Sequence, residues 1–244
     1  PKTGGAEEPP AVTASRKKGS VAADMLCRHD EAVRRDERKW AVIGEGPVLE
    51  SDLDVLREIA NIGSGHAAAS MEKWLGKEMT LKVPVASMVP IEDVAEHIGD
   101  PMATVMGVYS RVLGDLEGHI LYLISLEDAR RLLDIILDPE DRGQGFSPNN
   151  LSAIAETGNI LFNAYMGAVS ELCGLELYPA PPTCTADMLA AIVDTILLEV
   201  SDGGDLALYL ETEFEEEDFN STGNVLFVTD FENLARMLDT LEEE

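Results

Sequence analysis

Two stretches of this chain open on the same E-x-x-N spacing: EIANIGSGHAAASMEKWLGKEMTLKVP from Glu58, and ETGNILFNAYMGAVSELCGLELYPAPP from Glu156. In each, a proline follows the asparagine by 23 residues. Glu58, Asn61, Gly76 and Pro84 therefore match Glu156, Asn159, Gly174 and Pro182 at a constant offset of 98. Further on, EGHILYLISLEDARRLLD lies over TGNVLFVTDFENLARMLD without a gap, at an offset of 105. The difference of 7 reads as a local insertion, placed near the acidic segment EFEEEDF. A chain that repeats itself at this scale is built from one supersecondary unit used twice.

Periodicity says what the unit contains. Leu53, Leu56, Ala60 and Ala67 fall on one side at helical spacing, which predicts a long helix over about 51–75. Ser51 is the expected N-cap and Gly76 the expected stop. MTLKVPV, MATVMGVYS and GHILYLIS read as extended runs, and LEDARRLLDIIL as a short helix. After the turn-rich DPEDRGQGFSPNN, Ser147 and Pro148 open a second long helix as cap and first helical residue. The order then returns in LELYPAP, LAAIVDTILLEV, DLALYLETEF and GNVLFVT, ahead of the helix FENLARMLDTL. The expected fold is α+β: an internally duplicated helix and antiparallel-sheet unit with pseudo-twofold symmetry, its long motif helices packed on a shared sheet. Residues 1–45 read as a flexible tail rich in Pro, Gly, Ser and charge. Residues 46–244 read as a single domain of two repeats, about 50–140 and 147–244.

Charge narrows the classes of partner. Residues 1–50 are balanced at 9 Lys/Arg and 9 Asp/Glu, whereas the remaining chain holds 9 against 37, so the net charge of −28 sits on the folded part. Such a surface repels phosphate backbones, which excludes nucleic acid. A salt-rich host would screen its self-repulsion, so a halophilic setting is the expectation. Cys27, Cys173 and Cys184 form an odd, sparse set with no C-x-x-C, pointing to a reducing, cytoplasmic location. The apolar runs are too short for membrane insertion.

The repeated residues carry the chemistry. On a helix, Asp54, Glu58 and Asn61 stand one above another at i, i+4 and i+7, and Ser152, Glu156 and Asn159 repeat the stripe. An amide both donates and accepts hydrogen bonds, which suits it to orienting a water molecule for attack on phosphorus. A carboxylate one turn away offers an ion pair to another molecule. No Ser–His or Cys–His pair, metal cluster or phosphate-cradling glycine loop accompanies them, so no resident cofactor or metal is expected. On these residues alone two readings stand: a half-site completed by a partner, or an inert stripe copied by duplication.

D/S-x-x-x-E-x-x-N followed by 22 residues and a proline resembles the pattern of the CheC, CheX and FliY family of chemotaxis phosphatases. Asp54, Glu58, Asn61 and Pro84 fit one copy, and Ser152, Glu156, Asn159 and Pro182 the other. The resemblance covers about residues 48–244 and is strongest to CheC-type chains, which carry two motifs. It implies hydrolysis of the aspartyl phosphate of the response regulator CheY. Asn61 or Asn159 would position the attacking water, and Glu58 or Glu156 would pair with the regulator's lysine. The Mg2+ ion would be held by the CheY partner. Asp54 and Ser152 complete the motif, and Pro84 and Pro182 are expected to set the strand entry after each helix. The receptor deamidase CheD is a further implied partner. The alternative is a non-catalytic adaptor that binds phosphorylated CheY, CheD or the flagellar switch.

An acidic enzyme meeting an acidic regulator needs screening. Phosphate release from phosphorylated CheY is therefore expected to rise with salt; a flat or falling profile contradicts the halophilic expectation.

Overall fold

The computed structural model describes residues 50–138, 140, 142, 145–199, 206–216 and 219–242; the expected tail over residues 1–45, with Cys27, lies outside them. In chain order the elements are α1 (Glu50–Leu75), β1 (Thr80–Pro90), a 3-10 turn (Ile91–Asp93), α2 (Val94–Ile98), β2 (Thr104–Gly114), β3 (Gly118–Ser125), α3 (Leu126–Ile136) and α4 (Pro148–Cys173). They continue with β4 (Leu177–Pro179), β5 (Thr183–Met188), α5 (Leu189–Leu197), β6 (Leu206–Glu216), β7 (Phe219–Thr229) and α6 (Phe231–Glu242).

Strand β3 is apolar without alternation, and Ile120 to Ile124 are all buried. That pattern belongs to a strand covered on both faces. It lies at the centre of a seven-stranded antiparallel sheet of order β1-β6-β7-β3-β2-β4, with β5 also paired to β2. The two halves exchange their edges: β1 pairs with β6 of the second half, and β4 and β5 pair with β2 of the first. In the central ladder Leu121 faces Leu226, which are counterparts at the offset of 105. Ile120 faces Phe227 and Tyr122 faces Val225, each pair being the other's counterpart. The pairing is therefore symmetric about the Leu121–Leu226 pair.

Both faces of the sheet are covered. On one, the long helices with α3 and α6 enclose a core that includes Leu56, Met71, Met106, Tyr122, Phe162 and Phe214. On the other, α2 and α5 cover Leu121, Leu123, Ala207 and Leu226. LAAIVDTILLEV, placed among extended runs in sequence, is helical over Leu189–Leu197 because Leu189, Ile192, Val193 and Ile196 make one buried face at helical spacing. The VAEHI segment that forms α2 likewise carries no prior signal of its own. The β6–β7 hairpin is the longer arm. Val112 faces Gly118 with five residues between them, whereas Thr212 faces Gly223 with ten. Glu213, Phe214, Glu215 and Glu216 of the acidic segment lie in that extension, and Glu215 and Glu216 pair with Lys82 and Lys77 at 2.9 and 3.0 Å.

Local chemistry fixes the two long helices. Ser147 Oγ accepts from the Asn150 N–H at 3.4 Å, Pro148 opens α4, and Gly174 closes it at φ 63°. Gly76, at φ 68°, donates its N–H to the Glu72 carbonyl at 2.7 Å and ends α1. Ser51 lies inside this helix rather than at its cap. The two helices touch at Gly63, where a Cβ would come within 2.7 Å of Tyr165 Cδ1. The Tyr165 hydroxyl lies 3.1 Å from Ser64 Oγ, which donates to the Ala60 carbonyl at 2.7 Å. Against the sheet, Gly158 lets α4 approach β2: a Cβ there would stand 2.5 Å from Val108 Cγ1. Among the described residues no helix is long and apolar enough to cross a membrane.

Gly158→Ala is expected to lower stability by about 1–3 kcal/mol through overpacking against a stiff β-branched side chain. Val108→Ala in the same chain is expected to recover part of that loss in urea unfolding. Equal stability of Gly158→Ala and the parent would contradict the close approach.

Candidate functional site

The two stripes stand where helical spacing puts them. Asp54, Glu58 and Asn61 are exposed on α1, whereas Leu56, Ile59, Ala60 and Gly63 are buried on its other side. On α4, Ser152 and Glu156 are exposed and Asn159 is half-buried, above buried Ile154, Thr157, Gly158 and Leu161. Each carboxylate and amide thus project outward from a helix whose opposite side is locked into the core. Such a mount holds functional groups more tightly than a loop does.

The remaining motif positions are engaged within their own helices. Asp54 Oδ1 accepts from Arg57 Nη2 at 2.7 Å, an exposed pair of small energetic weight. Ser152 Oγ donates back to the Pro148 carbonyl at 2.9 Å. Asn159 Nδ2 donates to Glu156 Oε2 at 3.4 Å, so the second carboxylate–amide pair is in direct contact.

Pro84 stands inside β1, and Pro182 stands immediately before β5. In the β1–β6 ladder Lys82 faces Glu213 and Val85 faces Glu211, so Val83 and Pro84 together oppose Thr212. This is a β-bulge on an edge strand, where a residue without an N–H is tolerated. Val83 has no paired residue in that ladder, and its N–H donates to Asn61 Oδ1 at 3.2 Å. The asparagine and proline of the first motif are therefore physically linked, through the amide that the bulge releases.

At the opposite edge the same surplus recurs. Pro179 faces Val112 and Thr183 faces Tyr109, so Ala180, Pro181 and Pro182 oppose Ser110 and Arg111. The Ala180 N–H donates to the Arg111 carbonyl at 2.8 Å, and Ser110 Oγ donates to the Ala180 carbonyl at 2.6 Å. Pro181 stands in the place of Val83 at the offset of 98 and has no N–H to give. Asn159 Oδ1 instead accepts from Asn163 Nδ2 at 3.0 Å. Sequence reasoning passed over both Val83 and Asn163. The readable signal was a proline where the first copy has a valine.

A separate polar cluster lies on the sheet face covered by α5. The Tyr109 hydroxyl donates to Glu199 Oε2 at 2.9 Å and lies 2.8 Å from His119 Nδ1. Burial raises the Tyr109 phenol well above its ordinary range and lowers His119, favouring the neutral form of each.

Residues 52–88 match the CheC-like family, a span that runs past the first motif from Asp54 to Pro84. The CheY-P phosphatase CheC of Bacillus subtilis is 27% identical over 201 residues, covering 80% of this chain and 95% of that protein. A CheC1 protein of Halobacterium salinarum is 24% identical over 192 residues, covering 78% of this chain and 95% of its own length. The crystal structure of Thermotoga maritima FliY shares the fold at a TM-score of 0.67, with 18% identity over 80% of this chain and 98% of that one.

Asn61→Ala leaves the Val83 N–H without its acceptor, and a loss of about 1 kcal/mol in urea unfolding is expected. Asn61→Asp keeps an acceptor at that point and is expected to retain most of the stability. A full loss in Asn61→Asp would contradict the bulge linkage.

Proposed function

The chain is CheC-like in sequence and in fold, and on that premise we propose that it hydrolyses the aspartyl phosphate of the response regulator CheY at two pseudo-symmetric sites. One site is Glu58 with Asn61; the other is Glu156 with Asn159. The observation that carries this reading is the outward carboxylate–amide pair repeated on two rigid helices, each amide oxygen already tied to a donor.

The chemistry follows from that arrangement. An amide oxygen held by one donor keeps a second lone pair, and the amide nitrogen keeps at least one proton to donate. Each asparagine orients a water molecule in line with the phosphorus–oxygen bond to the regulator's aspartate. The water oxygen bonds to phosphorus as that bond breaks. The aspartate departs as a carboxylate, and the water's protons pass to the released phosphate and to solvent. Each glutamate pairs with the regulator's active-site lysine and so fixes the approach of the amide. The magnesium ion that neutralises phosphoryl charge in this chemistry belongs to CheY, and this chain supplies orientation alone.

Phosphate release from phosphorylated CheY tests the reading with Asn61→Ala, Asn159→Ala and the double substitution. Removing a positioned group of this kind typically costs about 2.7–4 kcal/mol, or about 10²–10³ in rate. The double variant is expected to fall by that amount and each single variant by less, because one site remains. A double variant as fast as the parent would overturn the assignment, and a parent that releases phosphate no faster than CheY alone would favour the adaptor reading.

A further inference from the structure

The two sites anchor their asparagines by different means, and the difference is reciprocal. Asn61 Oδ1 is held by the backbone N–H of Val83 at 3.2 Å. At the offset of 98, the counterpart of Val83 is Pro181, which has no N–H. The counterpart of Asn163 in the first copy is Gly65, which has no side chain to donate. Each half therefore has one source of a donor and lacks the other. Asn163 Nδ2 reaches Asn159 Oδ1 at 3.0 Å and the Asn159 carbonyl at 2.8 Å, while Asn159 Nδ2 reaches Glu156 Oε2 at 3.4 Å. The result is a chain Asn163–Asn159–Glu156 along two turns of α4.

We infer that Asn163 is a positioning residue of the second site, its side-chain N–H replacing the backbone donor that Pro181 has removed. This rests on the function proposed above. The donor decides which end of the Asn159 amide faces which neighbour. With Asn163 donating, the amide oxygen points along the helix toward its C-terminus and the amide nitrogen points to Glu156. Without that donor, the amide is free to turn and the attacking water loses its fixed orientation. The first site has no such dependence, because its donor belongs to a strand backbone.

The test uses the full chain carrying Asn61→Ala, in which the second pair carries the hydrolysis. In that chain Asn163→Ala is expected to lower kcat for phosphate release from phosphorylated CheY about tenfold, the size of one lost orienting hydrogen bond. KM is expected to stay within about twofold and the melting temperature to stay unchanged, since the side chain is exposed. Asn163→Asp, equal in shape but without a donor, is expected to lower kcat as far. If either variant keeps the kcat of the Asn61→Ala parent, the inference falls while the proposed function stands. If that parent and the Asn61→Ala/Asn159→Ala chain hydrolyse equally fast, the proposed function falls and takes the inference with it.

Discussion

The antiparallel ladder between β3 and β7 joins the two halves of this chain into one sheet. Its centre is Leu121 facing Leu226, the same position in two copies, so pairing on one side of this pair is repeated on the other. Because each half also hands its edge strand to the other's hairpin, neither half is complete alone. Both faces of β3 and its neighbours are buried, and the long helices pack against one of them.

That arrangement explains where the candidate sites stand. The motif helices lie side by side on one face of the sheet, with contact at Gly63 and Tyr165, and turn their carboxylate–amide stripes away from the core. The exchanged edge strands then bring the two proline bulges to opposite margins of the sheet. At one margin the bulge reaches an asparagine directly. At the other, a second proline has removed the linking amide and a neighbouring side chain takes over. Two sites with equal motifs thus have unequal supports.

Much of this was legible in the chain itself. Gly76, Ser147, Pro148 and Gly174 mark helix ends because caps and stops demand particular residues. The apolar runs in GHILYLIS and GNVLFVT announce strands. The outward stripe follows from the helical period alone. Other features were hidden for physical reasons. An alternating pattern says that a face is buried but not which strand lies beside it, so the exchange of edges was out of reach. A short apolar run such as LAAIVDTIL does not distinguish a buried strand from a buried helix. Bulk has moved between the helices, Gly63 standing where the other copy has Leu161 and Ala67 where it has Tyr165, which blurs the repeat in the core. Asn163 escaped because a search by duplication discards a residue whose counterpart is glycine.

The most direct measurement is a crystal structure of this chain bound to CheY loaded with a phosphate mimic. The account predicts the partner's phosphorylation site against α1 or α4, with the Asn61 or Asn159 amide one water molecule from the mimic and Glu58 or Glu156 on the partner's lysine. A partner seated on the sheet face covered by α2 and α5, with both stripes open to solvent, would contradict it.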